Sequence, residues 1–211
     1  MPTVVIGLNT GDDYSGIEDN RLVQLAATTN YGTNNRFDMH EGVTNQYSYG
    51  IMRVTGLSNI SAPATVSSAI LSLCQATGGY TQTYSFRRLL RAWSVSQSTW
   101  NIYSTGNSWS TAGGISDGND RVADVSATLT SGTNNGVYYS SGDLSADVED
   151  FINGDLANNG WHGERSDGSG DSQNNRYYSS EGDDGYRPYL TVTYESSGGT
   201  GNSYYYQQQQ M

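Results

Sequence analysis

Apolar residues recur at every second position in one short stretch after another, the period of a strand with one buried face. Between Ala64 and Gln75, Ala69, Leu71 and Leu73 point one way, with Ser68, Ser72 and Cys74 between them. Tyr189–Glu195 repeats the pattern with Leu190, Val192 and Tyr194 on one face. In Thr83–Trp93 the alternation sets Phe86, Arg88, Leu90 and Ala92 against Arg87, Leu89, Arg91 and Trp93. Thr3–Leu8, Arg21–Ala27, Arg36–His40, Tyr47–Val54, Val122–Ala127, Val137–Ser140, Gly160–Arg165 and Arg176–Ser180 complete the predicted strands. One segment changes period. Leu144, Val148, Phe151 and Ile152 recur at helical spacing between Asp143, a cap, and Gly154, a stop. The pattern predicts an all-β domain over residues 1–195, a two-sheet antiparallel β-sandwich of jelly-roll type, with one short helix plugging an open end.

The segment from Ala92 to Arg121 fits neither period. It holds Trp93, Trp100 and Trp109 in polar, Gly- and Ser-rich sequence. Turn formers break every helical window, yet three indoles are too large to leave in water without a reason. Short strands and a long ordered loop pinned by tryptophans are expected.

Composition then narrows the function. All ten basic residues are arginine. Residues 1–110 balance six Arg against six acids, whereas 111–195 set four Arg against fifteen. Such an acidic half repels nucleic-acid phosphates and anionic membranes, so neither is an expected partner. Without lysine, Walker-type phosphate loops and Schiff-base chemistry are excluded. No Gly-x-Ser-x-Gly elbow occurs, and His40 and His162 lack neighbours at zinc-ligand spacing. The acid pairs Asp147 with Glu149 and Asp183 with Asp184 read as solvated surface groups, so no enzymatic activity is expected. Cys74, the one cysteine, sits in an apolar strand and reads as a buried structural thiol. No apolar run is long enough to span a membrane, and the first residues carry no secretory-signal pattern.

Three sets of candidate site residues remain. Trp100, Trp109 and Trp161, with Asn101 and Arg91 as polar neighbours, offer ring and hydrogen-bonding groups for a glycan. Asp117, Asn119 and Asp120, and separately Asp167 and Asp171, lie in oxygen-rich loops suited to a structural calcium ion, with no other cofactor expected. Residues 196–211 form an uncharged Gly/Ser linker followed by Tyr204, Tyr205, Tyr206, Gln207 and Gln208, which read as a docking arm onto a neighbouring subunit.

Several motifs resemble the DNRLRE-type domain family, β-sandwich modules related to carbohydrate-binding modules. They are Asn30-Tyr31-Gly32, the pair of segments at 50–60 and 64–73, Ser98-Thr99-Trp100-Asn101 with Trp109, and the closing stretch 177–194. In the closing motif, Pro188 fixes entry to the last strand, and Arg187 and Glu181 are placed to pair as a clamp across a loop. The resemblance implies a non-catalytic module of a kind that also occurs in phage virion proteins. The sequence therefore favours a structural or adhesion subunit on a bacteriophage virion surface, a homo-oligomer (a trimer) contacting other virion subunits. The second possibility is an extracellular carbohydrate-binding module that recognises a polysaccharide.

Overall fold

In the computed structural model, which describes residues 1–7, 16–42, 46–167 and 173–196, two antiparallel six-stranded sheets pack face to face with one short helix. The strands are Thr3–Ile6 (β1), Ile17–Val23 (β2), Arg36–Asp38 (β3), His40–Glu41 (β4), Tyr47–Val54 (β5), Ala64–Thr77 (β6) and Thr83–Arg88 (β7). They continue with Ile102–Ser104 (β8), Asn107–Ser108 (β9), Ala127–Thr130 (β10), Tyr138–Ser140 (β11), Trp161–Arg165 (β12), Arg176–Tyr178 (β13) and Tyr189–Ser196 (β14). The first sheet runs β1-β14-β6-β13-β3 with β11 also on β6; the second runs β10-β7-β12-β5-β2 with β4 also on β5. β8 and β9 form a separate hairpin.

Period-two alternation decides what each sheet buries. On β5, Met52 and Val54 enter the core between the sheets, while Tyr47, Tyr49 and Ile51 face outward into a second apolar cluster. On β2, Ile17 points inward and Leu22 outward. Leu71 and Leu73 on β6 and Leu190 and Val192 on β14 fill the main core as the sequence predicts. Cys74 is fully buried, and burial pushes its thiol up to about 11, so it stays protonated.

The helix, Ser145–Asn153 (α1), ends at Gly154, whose φ of 79° is the left-handed conformation a C-terminal stop needs. Its Val148 and Phe151 are buried as the stripe requires. Its place differs from expectation: it lies along an edge of β6 rather than across an open end. Ser72 of β6 is flanked by Tyr189 of β14 on one side and Ser140 of β11 on the other. Beyond β11, helix-region side chains take over the partner strand's role. Asn153 Oδ1 accepts from Ala64 N at 2.8 Å and its Nδ2 donates to Ala64 O at 2.9 Å. Glu149 accepts from Val66 N at 2.7 Å, and Asp143 from Ala69 N at 2.8 Å. Burial acts to raise the Asp143 pKa, but the N–H of Ala69 and the N–H and hydroxyl of Ser145 outweigh it and hold the carboxyl below its ordinary range. An open edge with unpaired backbone groups invites foreign strands, and this arrangement closes it. Asn153→Ala is expected to cost about 1–3 kcal/mol in urea unfolding, because both polar groups of Ala64 lose their partner.

Candidate functional site

The tryptophan segment is a lid over the outer face of the second sheet. Trp93, Trp100 and Trp109 pack on Leu22, Tyr49, Ile51 and Leu89 as one buried cluster. The outward positions of β5 form its floor. Trp100 stacks on Tyr49 at 5.3 Å between ring centres, and the Arg53 guanidinium sits over Trp93 at 5.1 Å. Two of the three indole N–H groups have a carbonyl: Trp93 Nε1 donates to Asn159 O at 2.8 Å and Trp109 Nε1 to Thr99 O at 3.0 Å. Gly113 and Gly114, with φ of 88° and 73°, let the backbone lie against the rings; a Cβ on Gly113 would stand 2.8 Å from Trp100 Cη2.

A buried polar network rivets lid to sheet. Arg121, from the end of the lid, bonds Glu164 of β12 at 2.8 Å and Asp117 at 3.0 Å. His162, fully buried on the same strand, lies 3.1 Å from Arg121 through Nδ1 and 3.0 Å from Gly113 O through Nε2. A carbonyl can only accept and a guanidinium only donate, so the ring is neutral with its proton on Nε2. Burial, reinforced by the Arg121 charge, pushes the His162 pKa down to about 4. For Glu164 burial acts upward, but hydrogen bonds from Arg121 and Arg87 win and hold the carboxyl below its usual range.

Three consecutive residues of β2 form a hub. Asp19 is buried and accepts from Ser180 N at 2.6 Å, fixing the loop before the last strand. Asn20 donates to Ser98 O at 2.9 Å and to Ser98 Oγ at 2.7 Å, and accepts from Tyr31 N at 3.1 Å, joining the lid to the Asn-Tyr-Gly turn. Arg21 pairs with Asp38 at 2.8 Å, which also accepts from Asn174. Burial, set against the hydrogen bonds from Ser180, pushes the Asp19 carboxyl up to about 7.

These contacts correct the sequence-based site assignments. Trp100 and Trp109 are 7% and 5% exposed, and Trp161 is fully buried between the sheets, where it donates to Asp147 and packs on Phe151. None presents a free face to a sugar, since burying an indole in the protein stabilises more than leaving it wet. Asn101 is exposed, and Arg91 pairs with Asp120 and donates to Ser110. The calcium loops are closed by their own bonds. Asp120 is buried and accepts from Ser110 N and Thr111 N, both at 2.9 Å; Asp117 holds Arg121; Asn119 donates to Ser116. Asp167 pairs with Arg165 at 2.8 Å. Among the described residues, no three His, Cys, Asp or Glu side chains are placed to hold a metal ion. Asp171 and the tail residues Tyr204, Tyr205, Tyr206, Gln207 and Gln208 lie outside the described residues. Asp147 and Glu149 are not simply solvated, because they bond Trp161 and Val66. Arg187 pairs with Asp184 at 3.1 Å and donates to Gly182 O, so the clamp exists with a different acid from Glu181.

An open concavity of about 390 Å³ lies beside the hub, lined by Gly16, Glu18, Thr33, Thr55, Ser96 and Glu181 among others. Its lining mixes the hydroxyls of Thr33, Thr55, Ser96 and Ser180 and the carboxylates of Glu18 and Glu181 with apolar Ile17 and Val95, without an aromatic ring.

No family model matches this chain, and no curated protein matches it in sequence.

The sequence reading missed Asp19, Asn20, His162 and Glu164 as organising residues. The available signal was polar residues inside strands: Glu18 to Arg21 interrupt an otherwise apolar β2. A buried polar side chain inside a strand requires a partner.

Proposed function

We propose that the chain is a non-enzymatic structural or adhesion module, a bacteriophage virion surface subunit, as capsid decoration or fibre, that docks on neighbouring copies and other virion subunits. The observation that carries this reading is the inward use of the tryptophan segment. Its rings, the indole N–H groups of Trp93 and Trp109 and the Asp120 carboxylate are bound to the module itself, as in a rigid building block. The likeness of its motifs to DNRLRE-type modules, and the occurrence of such modules in virion proteins, support the same reading. A polysaccharide-binding alternative moves from the tryptophans to the groove beside β2, where hydroxyls and carboxylates stand next to Ile17 and Val95. Sedimentation velocity and affinity electrophoresis on the full chain separate the two. A stable homo-oligomer with unchanged mobility in polysaccharide gels is the expected result. A monomer retarded by a neutral or acidic polysaccharide would refute it.

A further inference from the structure

The two sheets treat their outer faces differently. The second is covered by the lid; the first carries an arginine–tyrosine stack near its β3–β13 end. Arg36 lies over the Tyr178 ring at 5.2 Å, and Tyr178 stacks on Tyr186 at 4.9 Å with planes 17° apart. Tyr186, the outer ring, is 41% exposed. Eight arginines hold a carboxylate; among the described residues, Arg36 and the exposed Arg176 hold none. Arg36 Nε is buried without a hydrogen-bond partner.

We infer that this stack is the docking surface for the Tyr204–Gln208 segment of a second copy of the chain. The inference rests on the assembly reading above and names the surface it uses. Flat phenol rings extend an existing ring stack and accept a guanidinium on their faces, and glutamine carbonyls accept from arginine N–H groups. The neighbouring loop carries Glu181, Asp183 and Asp184, which repel an acidic occupant and tolerate a neutral one. Residues 197–211 carry no charged side chain.

Strand register shows why the segment comes from another copy. Ser196 pairs with Ala64, whereas Tyr177 pairs with Gln75, eleven residues farther along β6. At ~3.3 Å per residue, that places the stack about 35 Å from the start of the tail. Tyr204 follows Ser196 by eight residues, which reach at most about 29 Å when fully extended. On these lengths a molecule's own Tyr204 falls short of its own stack even at full extension, and its Tyr206, at most about 36 Å away, only just spans the distance, whereas a neighbour's tail has no such limit.

The test compares full-length chains by sedimentation velocity over a concentration series. Tyr204→Ser/Tyr205→Ser/Tyr206→Ser and, separately, Arg36→Gln/Tyr186→Ser are each expected to weaken self-association by about tenfold or more, the size expected from a few lost ring contacts. Mixing the two variants is expected to restore a complex containing one of each, because one supplies the tail and the other the stack. Tyr186→Ser alone, at an exposed position, repeats the loss without endangering the fold. If the stack variants associate like wild type while the tail variant does not, this surface is wrong and the assembly reading stands. If wild type itself stays monomeric at every concentration, the assembly reading falls and this inference with it.

Discussion

Asp19→Asn is expected to raise the melting temperature at pH 8 and to leave it unchanged at pH 3. The Asp19 carboxyl titrates near 7 in the folded protein against an ordinary 3.8, chiefly because it is buried, with Glu181 adding a smaller push in the same direction. A raised folded pKa means that the folded state holds the proton more tightly than the unfolded chain. Its favourable contribution is complete below about 3.8 and is lost as pH rises to about 7. Above that, the fold carries a buried charge at a cost of up to about 4 kcal/mol. Asparagine keeps the shape and can still accept from Ser180 N, so it removes the charge without orphaning the donor. At ~2–4 °C per kcal/mol for a chain of this size, a gain of about 5 °C or more is expected at pH 8. His162 sets an opposite slope over part of the same range: its folded pKa of about 4 lies below the ordinary 6.5. Its contribution is complete above about 6.5 and is lost as pH falls to about 4. Wild-type stability is therefore flatter between these values than either group alone would make it, and Asp19→Asn should uncover the His162 slope. Thermal melts at pH 3, 5 and 8 check this; an equal shift at all three would show that the carboxyl charge is not responsible.

The sandwich and helix were legible because they depend on short-range periods. Tyr47–Val54 is found at its predicted limits, and the Leu144–Ile152 stripe with its Gly154 stop is where the spacing puts it. Boundaries failed where tertiary context takes the chain out of a sheet. β7 ends at Arg88 because Leu89 bridges Arg121 and the chain then leaves to build the lid. The strand predicted over Val122–Ala127 lies instead at Ala127–Thr130, where Ala127 and Leu129 face inward and the threonines outward. The β8–β9 hairpin supplies short strands of the kind expected within Ala92–Arg121, but its few residues carry no alternation that would place them. The tryptophans show the limit most clearly. Sequence reports a ring's size but not its direction, and only the outward positions of β5 reveal that the indoles face the protein. The hub on β2 was invisible for a related reason: the partners of Asp19 and Asn20 lie 161 and 78 residues away along the chain.

Arg121→Met is expected to be the most damaging single change in the lid, costing about 3–5 kcal/mol at pH 7 in urea unfolding, the range for breaking a buried pair from one side. Methionine fills much of the same space but donates nothing. Glu164 then keeps only Arg87, at 3.1 Å, and His162 Nδ1 loses its donor. Asp117, half exposed, returns to water and contributes little to the loss. The deficit is therefore a partly buried Glu164 charge left with Arg87 as its one counter-charge, and two further results follow. Glu164→Gln in the Arg121→Met background should recover a large share of the lost stability, because the residue no longer needs a counter-charge. The deficit should also shrink in acid. Glu164 has a folded pKa below its ordinary value, so its contribution in wild type is present above about 4.5 and is lost as pH falls further. The variant has little of that contribution to lose. Urea titrations of wild type, the single variant and the double variant at pH 7 and pH 4, read by tryptophan emission, report on the lid directly, since Trp93, Trp100 and Trp109 all lie in its cluster. A loss below about 1 kcal/mol at pH 7, the level of an exposed pair, would mean that the rivet is dispensable and that apolar packing alone holds the lid to the sheet.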